Sequence, residues 1–168
     1  MIAILHEAGV TRLVDVRAIP RSRTNPQFNI DTLPAALGAA GIDYQHLPAL
    51  GGRRGHTRGD TPSRNTLWKV QAFRNYADYA QTLPFRRGLD DLVRLASERP
   101  TAIMCAEAVW WRCHRRLVTD YMLVAGWHVV HLMAPGSRQE AALTAGAVPQ
   151  PDGSIEYPQD PGQRTLPL

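Results

Sequence analysis

The sequence predicts a single-domain α/β protein, a Rossmann-like three-layer sandwich in which a mostly parallel sheet of about four strands carries helices on both faces. Apolar segments of strand length alternate with amphipathic segments of helix length along the chain, an order typical of parallel sheets. The first strand segment, 13–16, alternates poorly and is β-branched, as expected for a strand buried on both faces. At 168 residues the chain is long enough for one substantial core.

The first half of the chain predicts two helices and two strands. Gly9 and Gly41 each follow an apolar helical segment, and glycine commonly ends a helix. Asp31 is a suitable N-cap for the second helix. The polar, proline-bounded stretch 20–26 predicts a loop. The predicted elements are a helix over 1–8, a strand over 13–16, a helix from 31 to 40 and a strand over 42–47.

The second half begins with a long loop and then predicts three helices and two strands. Residues 48–65 are rich in Gly and Arg, and a loop of this length is usually either functional or disordered. The Pro-, Gly- and Gln-rich stretch 149–168 predicts a disordered tail, which leaves 1–148 as the domain. The predicted elements are helices over 67–81, 89–99 and 113–125 and strands over 101–105 and 127–132.

Composition and charge narrow the class of protein. The net charge is +4, and Lys69 is the only lysine among 19 basic residues. Arginine suits bidentate binding of phosphate, although a codon bias would give the same count. No apolar run reaches the roughly 18 residues of a membrane span, and no basic leader opens the sequence. We therefore expect a cytoplasmic protein without a membrane partner, whose two cysteines are reduced.

The candidate site lies at the carboxyl ends of the predicted strands, where open parallel sheets bind their ligands. Each strand middle is apolar and each end is polar. Because these ends share one edge of the sheet, we expect their side chains to share a pocket. The polar residues at the four strand ends are Asp15 with Arg17, His46, Cys105 with Glu107, and His131.

The segment from Cys105 to Arg116 carries the strongest chemical signal. A thiol ends a strand, a loop follows, and a helix is predicted to begin near Arg112. A helix start attracts anions and lowers the pKa of a nearby thiol. The layout is similar to that of cysteine-based phosphatases and sulfurtransferases. The match is partial, because this loop is longer than the phosphatase loop and has Glu107 and two Trp where glycines are needed.

Other interpretations of this segment stay open. Cys105, Cys113, His114 and His46 are ligand types that zinc accepts. Their spacing matches no standard zinc-ligand pair. Cys113 and His114 are neighbours, and neighbouring side chains point apart on a helix. The sequence therefore predicts no metal, and it does not indicate a cofactor. The alternative for both cysteines is packing in the core, and for Cys113 this alternative is favoured.

Arginines on two loops are predicted to form a basic rim beside the strand ends, which suits phosphate or a nucleic-acid backbone. The alternative is a solvated flexible loop. The basic residues of the second loop are Arg53, Arg54, His56 and Arg58. Two adjacent indoles in a loop cannot both be fully buried. One of Trp110 and Trp111 is expected to stack on a base or to cap the pocket. The alternative is that one lies in the core and the other is partly covered by neighbouring arginines. The predicted anion-binding residues are Arg17, Arg21, Arg53, Arg54, Trp111, Arg112, His114 and Arg115.

Several motifs together resemble a known family. They are LVDVR (13–17), PRS (20–22), PQF (26–28), GIDY (41–44), HLP (46–48), LGGR (50–53), YADY (76–79), MCAE (104–107) and RCHRR (112–116). On these motifs the chain is identified as a member of domain-of-unknown-function family 488 over about residues 4–131. The family has no settled activity, so the resemblance supports the site more than a reaction.

Two departures from the family pattern are expected to matter. Family members usually begin with an extra strand ending in a Gly-His-Ser type segment, whereas this sequence starts inside the following helix. If that strand is central, its loss leaves an unfilled place in the sheet and unpaired backbone groups. Trp110 also stands where the family is expected to have a proline.

The predicted function is an enzyme acting on a phosphate-bearing substrate, either a nucleotide or a nucleic acid. The predicted catalytic residues are Asp15, His46, Cys105 and Glu107. The alternative is a non-catalytic nucleic-acid-binding module that uses Arg and Trp. A third interpretation makes the same polar residues a satisfied hydrogen-bond network. The expected partner is a nucleic acid or a phosphorylated small molecule, and no oligomeric state is predicted.

Overall fold

The computed structural model describes residues 1–55 and 62–159 as an α/β protein. Within those residues no helix has the length and apolar character needed to cross a bilayer. The helices are α1 (Ile2–Glu7), α2 (Leu33–Ala39), α3 (Gln71–Ala80), α4 (Leu83–Glu98) and α5 (Arg115–Val124). The strands are β1 (Arg12–Asp15), β2 (Asp43–His46), β3 (Thr101–Met104), β4 (Val130–Ala134), β5 (Ser137–Glu140), β6 (Val148–Pro149) and β7 (Ile155–Glu156).

A three-stranded parallel sheet in the order β2-β1-β3 positions the site. Asp15, at the end of β1, lies opposite His46 of β2 and Met104 of β3. The three segments that follow these strands therefore leave the sheet at one edge, as the alternating sequence pattern predicts. Gly9 and Gly41 follow α1 and α2 with φ values of 68° and 72°, a left-handed conformation that ends a helix.

The core has two parts because β1 is buried on both of its faces. Leu13 packs with Leu5 of α1 and Leu37 of α2. Val14, the next residue, belongs instead to the cluster built by α3, α4 and α5, which includes Phe85 and Leu117. The apolar, β-branched character of β1 follows directly from having helices on two sides.

The fourth parallel strand was a wrong prediction. β4 pairs antiparallel with β5, and His131 lies opposite Gln139 within this hairpin, not at the edge of the parallel sheet. Among the described residues, β3 pairs only with β1. A cavity of about 590 Å³ is lined by residues of α1, β3 and β4. The Rossmann-like class remains a prediction.

The chain beyond residue 148 also differs from the predicted disordered tail. β6 pairs with β7, and Ile155 and Tyr157 are fully buried in the larger core cluster. Tyr157 donates its hydroxyl hydrogen to Asp120 of α5. The prediction of disorder therefore fails for 149–159, and its remainder, 160–168, lies outside the described residues.

Candidate active site

A cavity of about 630 Å³ opens beyond the carboxyl ends of β1 and β3. Its walls come from the loops that follow β1, β2 and β3 and from the first turns of α3. The lining includes Arg17, Gly52, Tyr76, Glu107, Cys113 and His114. The cavity is therefore where the sequence predicts a site, at the shared edge of the parallel strands.

One of two neighbouring cysteines lines this cavity. The Sγ atoms of Cys105 and Cys113 are 2.6 Å apart. Cys113 lines the cavity although it is buried overall, whereas Cys105, at the end of β3, is not part of the lining. The cysteine in the cavity lining is thus Cys113, whereas Cys105 is half-buried and lies outside that lining.

The two thiols titrate as a pair. The hydrogen bond from the Cys105 thiol stabilises the thiolate of Cys113 and lowers the pKa of Cys113; His114 acts in the same direction, and burial opposes both. The same hydrogen bond raises the pKa of Cys105. The pair therefore holds one negative charge at a pH where an isolated thiol is still protonated.

Backbone geometry brings Cys113 and His114 together. Cys113 is extended, with φ −124° and ψ 147°, and α5 begins only at Arg115. The expectation that neighbouring side chains point apart applies within a helix and so does not hold here: Cys113 Sγ lies 3.5 Å from His114 Nδ1. The backbone N–H of Arg115 also donates to this sulfur at 3.5 Å, as expected for a thiol at a helix start.

The imidazole of His114 has two further contacts. Its Nε2 lies 3.3 Å from the carbonyl oxygen of Val16. Its ring packs on Tyr76 with centroids 5.1 Å apart, and the hydroxyl of Tyr76 donates to the carbonyl of Leu50. Because a carbonyl oxygen only accepts, Nε2 carries a hydrogen here, and Nδ1, which faces Cys113, donates to that sulfur when the ring carries both hydrogens.

Glu107 joins the cysteine pair to the cavity. Oε2 of its carboxylate lies 3.2 Å from the sulfur of Cys105, and its backbone N–H donates to the same sulfur at 3.3 Å. Arg115 donates to the carbonyl oxygen of Glu107 at 2.7 Å and lies 3.5 Å from Cys113 Sγ. Arg115 therefore connects the start of α5 to the loop that follows β3, and it adds positive charge beside the sulfur of Cys113.

The four potential ligands Cys105, Glu107, Cys113 and His114 place one donor atom each within 4.8 Å of one another. Zinc accepts this donor set. Two thiolates bound to one tetrahedral zinc, at about 2.3 Å each, are about 3.8 Å apart. The observed Sγ–Sγ distance of 2.6 Å is much shorter, so binding a metal requires the pair to open.

Asp15 and Arg17 form a buried ion pair. The carboxylate of Asp15 is fully buried and accepts from the guanidinium of Arg17 at 2.5 Å and from the hydroxyl of Tyr44 at 2.7 Å. The hydrogen bond to Asp15 raises the pKa of Arg17, and burial, followed by Asp15, raises the pKa of Tyr44. Asp15 does not reach the cavity, so its role is to position Arg17 in the wall.

His46 is likewise a positioning residue. Its Nε2 lies 2.8 Å from the carbonyl oxygen of Arg17, and it is not among the residues that line the cavity. The structure thus brings Glu107 and Cys113 to the cavity surface, whereas Asp15 and His46 support the loop that follows β1.

Among the described residues, the arginines of the predicted rim fall into two groups, those with hydrogen-bond or ion-pair partners and those without an ion-pair partner. Arg21 pairs with Asp31 at 2.9 Å. Arg54 donates to the carbonyls of Pro48, Ala49 and Gly51 and lies 3.8 Å above the ring of Tyr79. Arg53 and Arg112 are exposed in the lining, and within 1–55 and 62–159 neither has an ion-pair partner. His56 and Arg58 lie outside the described residues.

The two adjacent tryptophans have different environments. Trp110 stacks on His131 at 4.1 Å with the rings nearly parallel and donates to Gln139. Trp111 meets Trp110 edge to face and is 46% exposed. Trp111 lies outside the cavity lining, so it borders the site without closing it.

Sequence reasoning missed three residues of this site. Cys113 was interpreted mainly as a packing residue, although its position before the helix start was a usable signal. Gly52 was seen only as part of a basic loop, and Tyr76 only as part of a motif. Their roles depend on contacts between distant segments, which no local pattern reveals.

The fold and the site define an α/β protein with a thiol pair beside an arginine-lined cavity. A family model described as "Domain of unknown function DUF488" matches residues 1–122. The match covers more than half of the chain, and the chain belongs to this family, as the sequence motifs indicated. Comparison with the curated proteins and with the solved structures gives no match.

Proposed function

We propose that this protein is an enzyme that acts on a phosphate-bearing substrate, a nucleotide or a nucleic acid, in the cavity beyond the carboxyl ends of β1 and β3. The observation that carries the proposal is that Cys113 and the exposed arginines Arg53 and Arg112 line the same cavity. The hydrogen bond with Cys105 also lowers the pKa of Cys113. A thiolate is a strong nucleophile, and guanidinium groups bind phosphate through paired hydrogen bonds.

In this proposal the phosphate lies between Arg53 and Arg112, close to the sulfur of Cys113. Arg17 is also in the cavity wall, but Asp15 already neutralises it, so it shapes the wall more than it attracts an anion. Glu107 is the exposed carboxylate nearest to the thiol pair, and its role is to exchange protons with Cys105 and with the leaving group.

The test is an activity screen on a panel of phosphate esters, nucleotides and oligonucleotides. The variants are Cys113→Ser, Cys105→Ser and Glu107→Gln, and Arg94→Gln serves as a matched surface control because Arg94 is an exposed residue of α4 outside the cavity. Loss of at least about 100-fold in Cys113→Ser, with Arg94→Gln unchanged, supports the proposal. Activity that is indifferent to Cys113→Ser removes the nucleophile role.

A second candidate function is a nucleic-acid-binding module without catalysis. The specific observation that favours it is the 46% exposed indole of Trp111, because such a ring can stack on an unpaired base. This function predicts oligonucleotide affinity that falls steeply with salt. It also predicts that Trp111→Ala weakens binding while Cys113→Ser does not. Binding that is equal in both variants counts against it.

A further inference from the structure

We propose that Cys105 and Cys113 form an intramolecular disulfide when a hydroperoxide oxidises the site. The disulfide is a modification beside the cavity and needs no substrate. Its effect on catalysis rests on the proposed function, because the same thiol would serve as nucleophile, but formation of the bond does not.

Geometry supports the bond more directly than it supports a metal. The two sulfur atoms are 2.6 Å apart, and a disulfide needs about 2.05 Å. The approach still required is about 0.5 Å, against an opening of more than 1 Å for a zinc bis-thiolate. Both cysteines lie beside regular structure, since Cys105 follows β3 directly and Cys113 lies two residues before Arg115, the first residue of α5.

The two cysteines differ in the way that a peroxide-sensitive pair requires. Cys113 lines the cavity, although only 2% of the residue is exposed, and its sulfur receives hydrogen bonds from the backbone N–H and the guanidinium of Arg115. A thiol that lines a cavity and lies beside a second cysteine is a usual target of peroxide. Cys105 is outside the lining and is placed to act second.

The first step oxidises Cys113. Its thiolate attacks the terminal oxygen of the hydroperoxide, the O–O bond breaks, and an S–O bond forms to give the sulfenic acid. The other oxygen leaves with the electron pair and takes a proton to become an alcohol, or water when the oxidant is hydrogen peroxide. The sulfur loses two electrons and the peroxide gains them.

The second step forms the disulfide. Cys105 gives its proton to Oε2 of Glu107, which lies 3.2 Å away, and its sulfur attacks that of Cys113. The S–S bond forms as the S–O bond breaks, and hydroxide leaves and is protonated to water. In sum, two thiols and one hydroperoxide give one disulfide, one alcohol and one water.

The chain offers a direct readout of this bond. Arg112 lies between the two cysteines, so trypsin separates them and only a disulfide keeps their peptides together. Reduced protein is treated with a slight excess of hydrogen peroxide, free thiols are alkylated under denaturing conditions, and the digest is analysed by mass spectrometry. The expected result is a monomer lighter by two hydrogens, whose two peptides remain linked until dithiothreitol is added.

Cys105→Ser is the matched control, because it keeps the Cys113 thiol and removes the resolving thiol. It should instead gain one and then two oxygens on Cys113. Three outcomes overturn the proposal: equal over-oxidation of Cys113 in wild type and variant, disulfides only between chains, or one zinc per purified chain that prevents oxidation. If the bond forms but neither redox state acts on any phosphate ester, the proposed function fails while this inference stands.

Discussion

Gly52 lies directly against the imidazole ring of His114. A Cβ atom added to Gly52 would stand 2.3 Å from Nδ1 of His114 and 2.6 Å from its Cγ, far inside van der Waals contact. Position 52 therefore requires glycine because any side chain there would overlap the His114 ring. The loop after β2 can pass the start of α5 only because this position has no side chain, and the contact fixes the nitrogen that faces Cys113.

The first prediction follows from this contact. Gly52→Ala should displace the His114 ring and lower the free energy of unfolding by about 1–3 kcal/mol. It should also slow alkylation of Cys113, because the imidazole moves away from the sulfur. Urea unfolding and iodoacetamide labelling measure the two effects. The matched control is Gly55→Ala, since a Cβ at Gly55 has no neighbour within 4 Å in the part of the chain that the structure describes; equal behaviour of the two variants would contradict the prediction.

The second prediction concerns the buried ion pair. Asp15→Asn removes the charge that compensates Arg17, which is 6% exposed. Loss of one partner from a buried pair costs about 3–5 kcal/mol, and urea unfolding should show a loss of that order. Asp31→Asn is the control, because the Arg21–Asp31 pair is exposed and such pairs contribute about 0–1 kcal/mol. A similar loss of free energy of unfolding in Asp15→Asn and Asp31→Asn would contradict the prediction, because it would mean that burial does not determine the cost of removing one partner of an ion pair.

Much of the fold could be predicted from local patterns. The strands β1, β2 and β3 and the five described helices follow from apolar periodicity and helix-ending glycines. The hairpin of β4 and β5 could not be predicted, because all four residues of β5 are exposed and polar and its pairing depends on a tertiary neighbour. Tyr157 was assigned to a disordered tail for the same reason. Composition does not reveal that a proline-rich segment returns to the core.

The candidate site was predictable in its location but not in its roles. Parallel topology brings the ends of β1, β2 and β3 to one edge, which is why Arg17, Glu107 and His114 lie together. Burial separates the roles: Asp15 is fully enclosed by its partners, whereas Cys113 reaches the cavity. A sequence shows that a residue is polar and follows a strand, but it does not show which side chains neutralise one another.

The third prediction is the pH dependence of thiol reactivity. Alkylation follows the thiolate fraction, which falls tenfold per pH unit below the thiol pKa. Because the hydrogen bond from Cys105 lowers the pKa of Cys113, wild type should react with iodoacetamide at about pH 6 faster than an ordinary thiol. Cys105→Ala removes that donor, so its rate at this pH should fall about tenfold or more.

Cys105→Ser provides the control for this experiment, because its hydroxyl can still donate to the Cys113 thiolate. Its rate should lie between those of wild type and Cys105→Ala. Labelling is followed on the tryptic peptide that contains Cys113, so that Cys105 does not contribute to the signal. A wild-type profile with its midpoint near the ordinary thiol value of about 8.5 would contradict the prediction.

The fourth prediction concerns Asp120 in the core. Its carboxylate is 1% exposed and accepts from the Thr144 backbone and the Tyr157 hydroxyl; burial raises its pKa. A raised folded-state pKa means that the folded protein holds a proton that the unfolded chain has released, so this residue's contribution to stability falls as the pH rises above about 4. At neutral pH the whole cost of burying the charge is present.

Asp120→Asn should remove this cost while preserving the contacts, because the amide oxygen can accept from Thr144 and the amide nitrogen can donate to the oxygen of Tyr157. The variant should therefore have a higher free energy of unfolding than wild type at about pH 7, and the difference should shrink towards about pH 4 as Asp120 becomes protonated. Urea unfolding across this range measures the difference. A difference that is constant with pH, or that grows on acidification, would show that burial does not raise the pKa of Asp120.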